Sequence, residues 1–144
     1  MTDKLLVMGC GTWGSALAQS LSSNSHRVTM WHYDEMKLLG FKSTRLHPNL
    51  LNFEFNKAIN FKYDLKESVE TSNIIVLAVP SSAVRGVINK IKSYLNENHI
   101  IVITSKGLEP KTFFTMSEVV YDELDHNFNR IVTLYGPSHA EEVS

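Results

Sequence analysis

Gly9, Gly11 and Gly14 stand at the spacing G-x-G-x-x-G, between the apolar run Leu5-Leu6-Val7-Met8 and the small-residue stretch Ser15 to Leu21. That arrangement suits the diphosphate of a dinucleotide. Gly9 permits a tight turn off a strand. Gly11 has no Cβ and lets a phosphate approach the backbone. Gly14 lets the following helix pack closely on the strand. The helix start then offers N–H groups and its positive dipole end to an anion. A second group with chemistry is Lys106, in the turn Ser105-Lys106-Gly107 after an apolar run. Its ammonium suits a phosphate or a polarised carbonyl oxygen. A third is the turn Tyr135-Gly136-Pro137-Ser138, whose glycine precedes a helix-like start at His139–Ser144. Cys10 reads as a small residue tolerated in a tight loop, not as a nucleophile. His139 with Glu141 and Glu142 lacks the H-E-x-x-H spacing, so no metal site is expected.

Strands alternating with helices must position these turns. The strands read as Lys4–Met8, Arg27–His32, Ala58–Phe61, Asn73–Val79, His99–Thr104 and Arg130–Leu134. Helical patterns fall at Thr12–Ser23, near Glu35–Phe41, at Asp64–Glu70 with Asp64 as N-cap, after Pro80, and at Thr112–Leu124. Ser81 or Ser82 is expected to cap the helix after Pro80. Its apolar stripe is Val84, Val87, Ile88, Ile91 and Leu95. On the Thr112–Leu124 helix, Phe113, Met116, Val120 and Leu124 share one face. His26, His47, His99 and His126 read as surface or strand-end residues. The whole is an α/β chain: a doubly wound, Rossmann-type parallel sheet of expected order 3-2-1-4-5-6 with helices on both faces. Right-handed crossovers then bring the turns at Gly9–Gly14, Val79–Ser82, Ser105–Gly107 and Gly136–Ser138 to one sheet edge.

The 144 residues make one domain, and 43% hydrophobic with 20% charged residues supports an ordinary core. A net charge of −1 gives no reason to expect a nucleic-acid or membrane-surface partner. No apolar run approaches the roughly 20 residues of a bilayer span. Met1-Thr2-Asp3-Lys4 is followed by only four apolar residues before Gly9, so no signal peptide is expected. A single cysteine suits a reducing cytoplasm.

Four motifs in order extend the reading. They are Gly9 to Ala18, Ala78-Val79-Pro80-Ser81, Ser105-Lys106-Gly107-Leu108-Glu109, and Gly136 to Val143. The chain resembles the N-terminal domain of the NAD(P)-dependent glycerol-3-phosphate dehydrogenases. The resemblance covers the whole chain, but less than half of the family's usual length. It implies an oxidoreductase that reversibly reduces dihydroxyacetone phosphate to sn-glycerol 3-phosphate with NAD or NADP. It also implies that Gly9, Gly11, Thr12, Trp13, Gly14, Tyr33, Pro80, Lys106 and Ala140 contact the cofactor. Lys106, Gly136 and Ser138 are then on the substrate side. The family's proton-transfer lysine belongs to a C-terminal helical domain. It is expected beyond Ser144, so no catalytic residue is expected within residues 1–144. Where relatives carry a Leu-Pro-Gly turn, this chain has Leu46-His47-Pro48-Asn49-Leu50-Leu51.

The cofactor is expected to be NAD rather than NADP. Asp34 stands about 20 residues past the fingerprint, as a partner for the ribose 2′-OH or as a solvated turn residue. No arginine stands at the end of the second strand. Two other readings stay open: a related hydroxy-acid dehydrogenase, and a stand-alone dinucleotide-binding or regulatory module. Apolar surface around the sixth strand makes self-association, as a homodimer, a further expectation.

Overall fold

The structure, a computed structural model, describes residues 2–124, 128–136 and 139–143. Six strands form one sheet: β1 (Lys4–Met8), β2 (Arg27–Trp31), β3 (Asn60–Phe61), β4 (Ile74–Leu77), β5 (Ile100–Ile103) and β6 (Ile131–Thr133). Their order is β3-β2-β1-β4-β5-β6, and every pairing is parallel. Six helices accompany them: α1 (Thr12–Ser23), α2 (Glu35–Thr44), α3 (Leu65–Glu70), α4 (Ser81–Ile91), α5 (Met116–Glu123) and α6 (Ala140–Val143). The expected sheet order and alternation are therefore observed. The last helix was expected to run from His139 to Ser144. It spans Ala140–Val143, and Ser144 lies outside the described residues. No helix among the described residues is long and apolar enough to cross a membrane.

The alternation of side chains along each strand divides the core in two. Leu5 and Val7 of β1 join Ala16 and Ala18 of α1, Leu38 and Phe41 of α2, and Phe53, Phe55 and Phe61. Leu6 and Met8 point the other way, to Val69 of α3, Val84, Ile88 and Ile91 of α4, and Met116 and Val120 of α5. Burial on both faces explains the unbroken apolar runs of β1 and β4.

Three sequence expectations are corrected. Ser81 and Ser82 do not cap α4: its N-cap is Pro80, with no side-chain cap bond. The fifth helix starts four residues late, because Thr115 and Glu118 form a reciprocal capping box. Phe113 thus lies outside the helix in a loop, 74% exposed at φ 60°. Finally, His47 and His99 are buried. Each ring accepts a backbone N–H at Nδ1, from Asn49 and Asn96 respectively, and faces a carbonyl with Nε2. Local hydrogen bonding of this kind makes a buried imidazole tolerable, and apolar periodicity does not register it. β1 spans the expected Lys4–Met8, and the other strands are one to three residues shorter than expected, as fraying ends generally are.

The turn from β1 into α1 is set by close backbone approach. A Cβ on Gly14 would lie 2.2 Å from the Gly9 carbonyl oxygen, and one on Gly9 would lie 2.5 Å from that of Ala78. Gly9 also holds φ at +112°. We expect Gly14→Ala to destabilise the chain by about 3 kcal/mol, the upper part of the overpacking range. Gly40→Ala is the contrast: its Cβ would meet nothing within 4 Å inside α2. It should stabilise by about 0.5–1 kcal/mol. Urea denaturation at constant m-value measures both; equal effects would contradict the close-approach account.

Candidate functional site

The C-terminal ends of the strands open onto a groove of about 1050 Å³. Gly9, Gly11, Thr12, Trp13 and Gly14 form one wall. Trp31, His32 and Tyr33 stand at the end of β2, and Ala78, Val79 and Pro80 follow β4. Thr104, Ser105 and Lys106 follow β5, and Ala140 begins α6. Every residue that the resemblance put beside a cofactor therefore lines one concavity. Gly136 lies beside it, its carbonyl accepting from Lys106 Nζ at 3.0 Å. Ser138 lies outside the described residues, as does Ser144, past which the proton-transfer lysine is expected.

Backbone bonds lock these turns together. Gly9 N–H donates to Trp31 O, Ala78 N–H to Met8 O and Thr104 N–H to Leu77 O. The Thr104 hydroxyl donates to Leu77 O at 2.8 Å, and that of Ser105 to Val79 O at 2.6 Å. The Lys106 ammonium sits 5.7 Å above the Trp13 ring centroid, a cation–π distance. The two residues thus meet across the groove from different turns.

The helix starts divide by how they are capped. Asp34 caps α2, Asp64 caps α3 and Thr115 caps α5, each by accepting a backbone N–H. Glu35, Glu67 and Glu118 add negative charge in those first turns. By contrast, α1 starts at Gly11 and α4 at Pro80, with no side-chain cap and no acidic residue in the first turn. Both of these starts border the groove. Their positive ends are left for an external acceptor. A Cβ on Gly11 would meet nothing within 4 Å, so the backbone there faces open space.

At the β2 end, His32 and Tyr33 stack with ring centroids 4.5 Å apart. His32 Nδ1 accepts from Asp34 N–H at 3.0 Å, and burial pushes the imidazole pKa down. The Asp34 carboxylate is engaged as the α2 cap. Cys10 is buried, and desolvation pushes its thiol up to about 12. At neutral pH it is a thiol, not a nucleophile.

Sequence reasoning missed two sets of residues. Ala83, Gly86, Val87 and Lys90 of α4 line the outer groove. Their i, i+3, i+4, i+7 spacing was the available signal, hidden because Val87 also belongs to the apolar stripe. The other is Arg85. It holds Glu109 through two bonds (Nε–Oε1 2.6 Å, Nη2–Oε2 2.8 Å) and reaches Asp122 and Glu123 through Nη1 at 2.5 and 2.9 Å. Glu109 stands in the loop that carries Lys106, so this fork ties the loop to α4 and α5. An arginine on a helix exterior otherwise reads as solvated.

Sheet order, uncapped helix starts and converging turns define a Rossmann-type domain with its crevice at the strand ends. The chain belongs to the family described as NAD-dependent glycerol-3-phosphate dehydrogenase N-terminus, which it matches over residues 4–144. It is 41% identical over 140 residues to a glycerol-3-phosphate dehydrogenase (NAD(P)+) of Thermoanaerobacter sp., covering 97% of this chain and 42% of that protein. A protein of the same name from Fusobacterium nucleatum is 42% identical over 145 residues, with the same coverage of each chain. The chain therefore spans about two fifths of the length of these curated relatives. Among solved structures, glycerol-3-phosphate dehydrogenase from Coxiella burnetii superposes with a TM-score of 0.87 at 29% identity, covering 99% of this chain and 43% of that one. The enzyme from Plasmodium falciparum, at 21% identity and a TM-score of 0.83, shares the fold, again over 99% of this chain and 43% of that one.

The Arg85 fork makes a pH prediction. Hydrogen bonds from Arg85, then Thr112, hold the Glu109 carboxyl down at about 2 instead of 4.5. A carboxyl lowered in the folded state contributes stability fully above its unfolded pKa, and loses it as pH falls through the folded value. The contribution is thus complete above pH 4.5 and fades between about 4.5 and 2. In Glu109→Gln, thermal melting temperature should fall less steeply over that interval than in the parent chain. Parallel melting curves for the two would contradict the assignment.

Proposed function

We propose that this chain is the nicotinamide-cofactor-binding domain of a glycerol-3-phosphate dehydrogenase. The whole enzyme reversibly reduces dihydroxyacetone phosphate to sn-glycerol 3-phosphate. The observation that carries this reading is the pair of uncapped helix starts, α1 and α4, facing one groove that Lys106 overhangs. The donor set fits a dinucleotide: backbone N–H groups of Gly11 to Gly14 for the diphosphate, with Tyr33 and His32 at the adenosine end. The bound nicotinamide supplies or takes the hydride. Trp13 and Pro80 then border the cofactor, Ala140 closes it from α6, and Gly9 and Gly14 hold the turn. Lys106, Gly136 and Ser138 orient the phosphorylated substrate. The Lys106 ammonium stands between Trp13 and the Gly136 carbonyl, which supports a role toward both ligands.

NAD is the preferred cofactor in this reading. No arginine side chain lines the groove among the described residues. Arg27 starts β2 at the opposite edge, Arg45 donates to Ile59 O and lies over Phe61, and Arg85 is held by carboxylates. The resemblance assigns the proton-transfer lysine to a C-terminal helical domain beyond Ser144, outside the two fifths of the relatives that this chain matches. In our reading the 144-residue segment therefore binds cofactor without turnover, in a cytoplasmic enzyme. Val132, Leu134 and Tyr135, half-exposed at the β6 edge, favour self-association of the segment.

Calorimetric titration of the chain with NADH and NADPH tests the proposal. NADH is expected to bind more tightly, and Lys106→Ala to weaken it about tenfold or more, the loss typical of one charge-assisted contact. No oxidation of NADH is expected when dihydroxyacetone phosphate is added. Failure to bind either nucleotide, or appreciable turnover by the segment, would contradict the proposal.

A further inference from the structure

The stretch Leu46 to Leu51 reaches under the glycine turn. His47 is 5% exposed, with its ring parallel to Phe41 (centroids 5.5 Å, 7°) and edge-on to Phe53 and Phe55. Nδ1 accepts the Asn49 N–H at 3.2 Å, which assigns the ring proton to Nε2. Nε2–H then donates to the Cys10 carbonyl at 3.2 Å, across 37 residues of sequence.

That carbonyl belongs to the peptide linking Cys10 to Gly11. The described chain has no cis peptide, and in a trans peptide the carbonyl and the next N–H point opposite ways. His47 is not part of the groove lining, whereas Cys10 and Gly11 are. Holding the Cys10 oxygen on His47 therefore turns the Gly11 N–H away from the core and toward the groove. The need for a lock follows from the glycine. A peptide plane with glycine on its C-terminal side rotates at little cost, because glycine accepts φ of either sign. Rotated, it would present a carbonyl oxygen where an anion is to bind.

We infer that His47 is a positioning residue of the anion-binding turn: its Nε2–H fixes the Cys10–Gly11 peptide with the N–H facing the groove, and so sets affinity for the diphosphate of a dinucleotide. This rests on the dinucleotide reading of the groove. The apolar cluster around His47 carries the ring, and the ring carries the turn.

Two variants separate this role from plain packing. Gln at position 47 has an amide nitrogen that reaches about as far as Nε2. Asn reaches only as far as Nδ1, so it can accept from Asn49 but cannot donate to Cys10. Both lose the ring and its stacking equally. NADH affinity by fluorescence titration should fall about tenfold in His47→Asn and be largely restored in His47→Gln. Their urea midpoints should lie close together. The Gly11 amide in the 15N–1H spectrum of the unliganded chain should move in the Asn variant and stay near its parent position in the Gln variant. Equal NADH affinity in the two variants, or an unmoved Gly11 amide in His47→Asn, would overturn the inference while leaving the dinucleotide reading intact. A parent chain that binds neither NADH nor NADPH would overturn both.

Discussion

Backbone packed on backbone at the β1–α1 turn is the constraint on which the rest of the site depends. The positions a side chain would occupy on Gly9 and Gly14 are taken by the carbonyl oxygens of Ala78 and Gly9. Only with those two glycines can α1 begin directly over the end of β1, beside β4. That placement sends the α1 dipole into the crevice and brings Trp13 beneath Lys106 of the β5 loop. Gly11, between them, serves a different need: it faces open space and leaves room for a ligand rather than for the fold.

Around that turn the electrostatics are arranged by omission. The starts of α2, α3 and α5 satisfy their own N–H groups with Asp34, Asp64 and Thr115, none of which lines the groove. Of the helices that start at the groove, α1 and α4 carry no such acceptor, whereas α6 has Glu141 and Glu142 in its first turn. The unfulfilled donors of α1 and α4 favour an anion by the same physics that makes side-chain caps stabilising elsewhere. The supports sit just behind the lining. His47 holds the Cys10 carbonyl under one turn, and the Arg85–Glu109 fork holds the loop two residues beyond Gly107. Neither support touches the groove, so each can be altered without changing a residue in the groove lining.

The sheet was legible in the sequence because burial on both faces leaves unbroken apolar runs, and the glycine turn because its three positions have different steric demands. The turns at Gly9–Gly14, Val79–Ser82 and Ser105–Gly107 followed once the strand order put them on one edge, whereas Tyr33 and Ala140 came from the family resemblance. What was not legible depends on contacts without a period. His47 meets Cys10 across 37 residues and Arg85 meets Glu109 across 24, and neither separation repeats in a pattern. Phe113 was misread for a related reason. Apolar spacing continues through it, but the reciprocal bonds between Thr115 and Glu118 start the helix later and leave Phe113 in a loop at positive φ. Ser81 and Ser82 looked like caps by type, yet Pro80 already occupies the cap position.

The central claim is that the α1 start binds a dinucleotide diphosphate. Its most direct test is a titration of the 15N-labelled chain with NADH, followed amide by amide. The account predicts that Gly11, Thr12, Trp13 and Gly14 shift together and saturably, with Lys106 following the same isotherm. Shifts confined to the opposite sheet edge, around Lys4, Arg27 and Ser72, with the Gly11 to Gly14 amides unmoved, would contradict it.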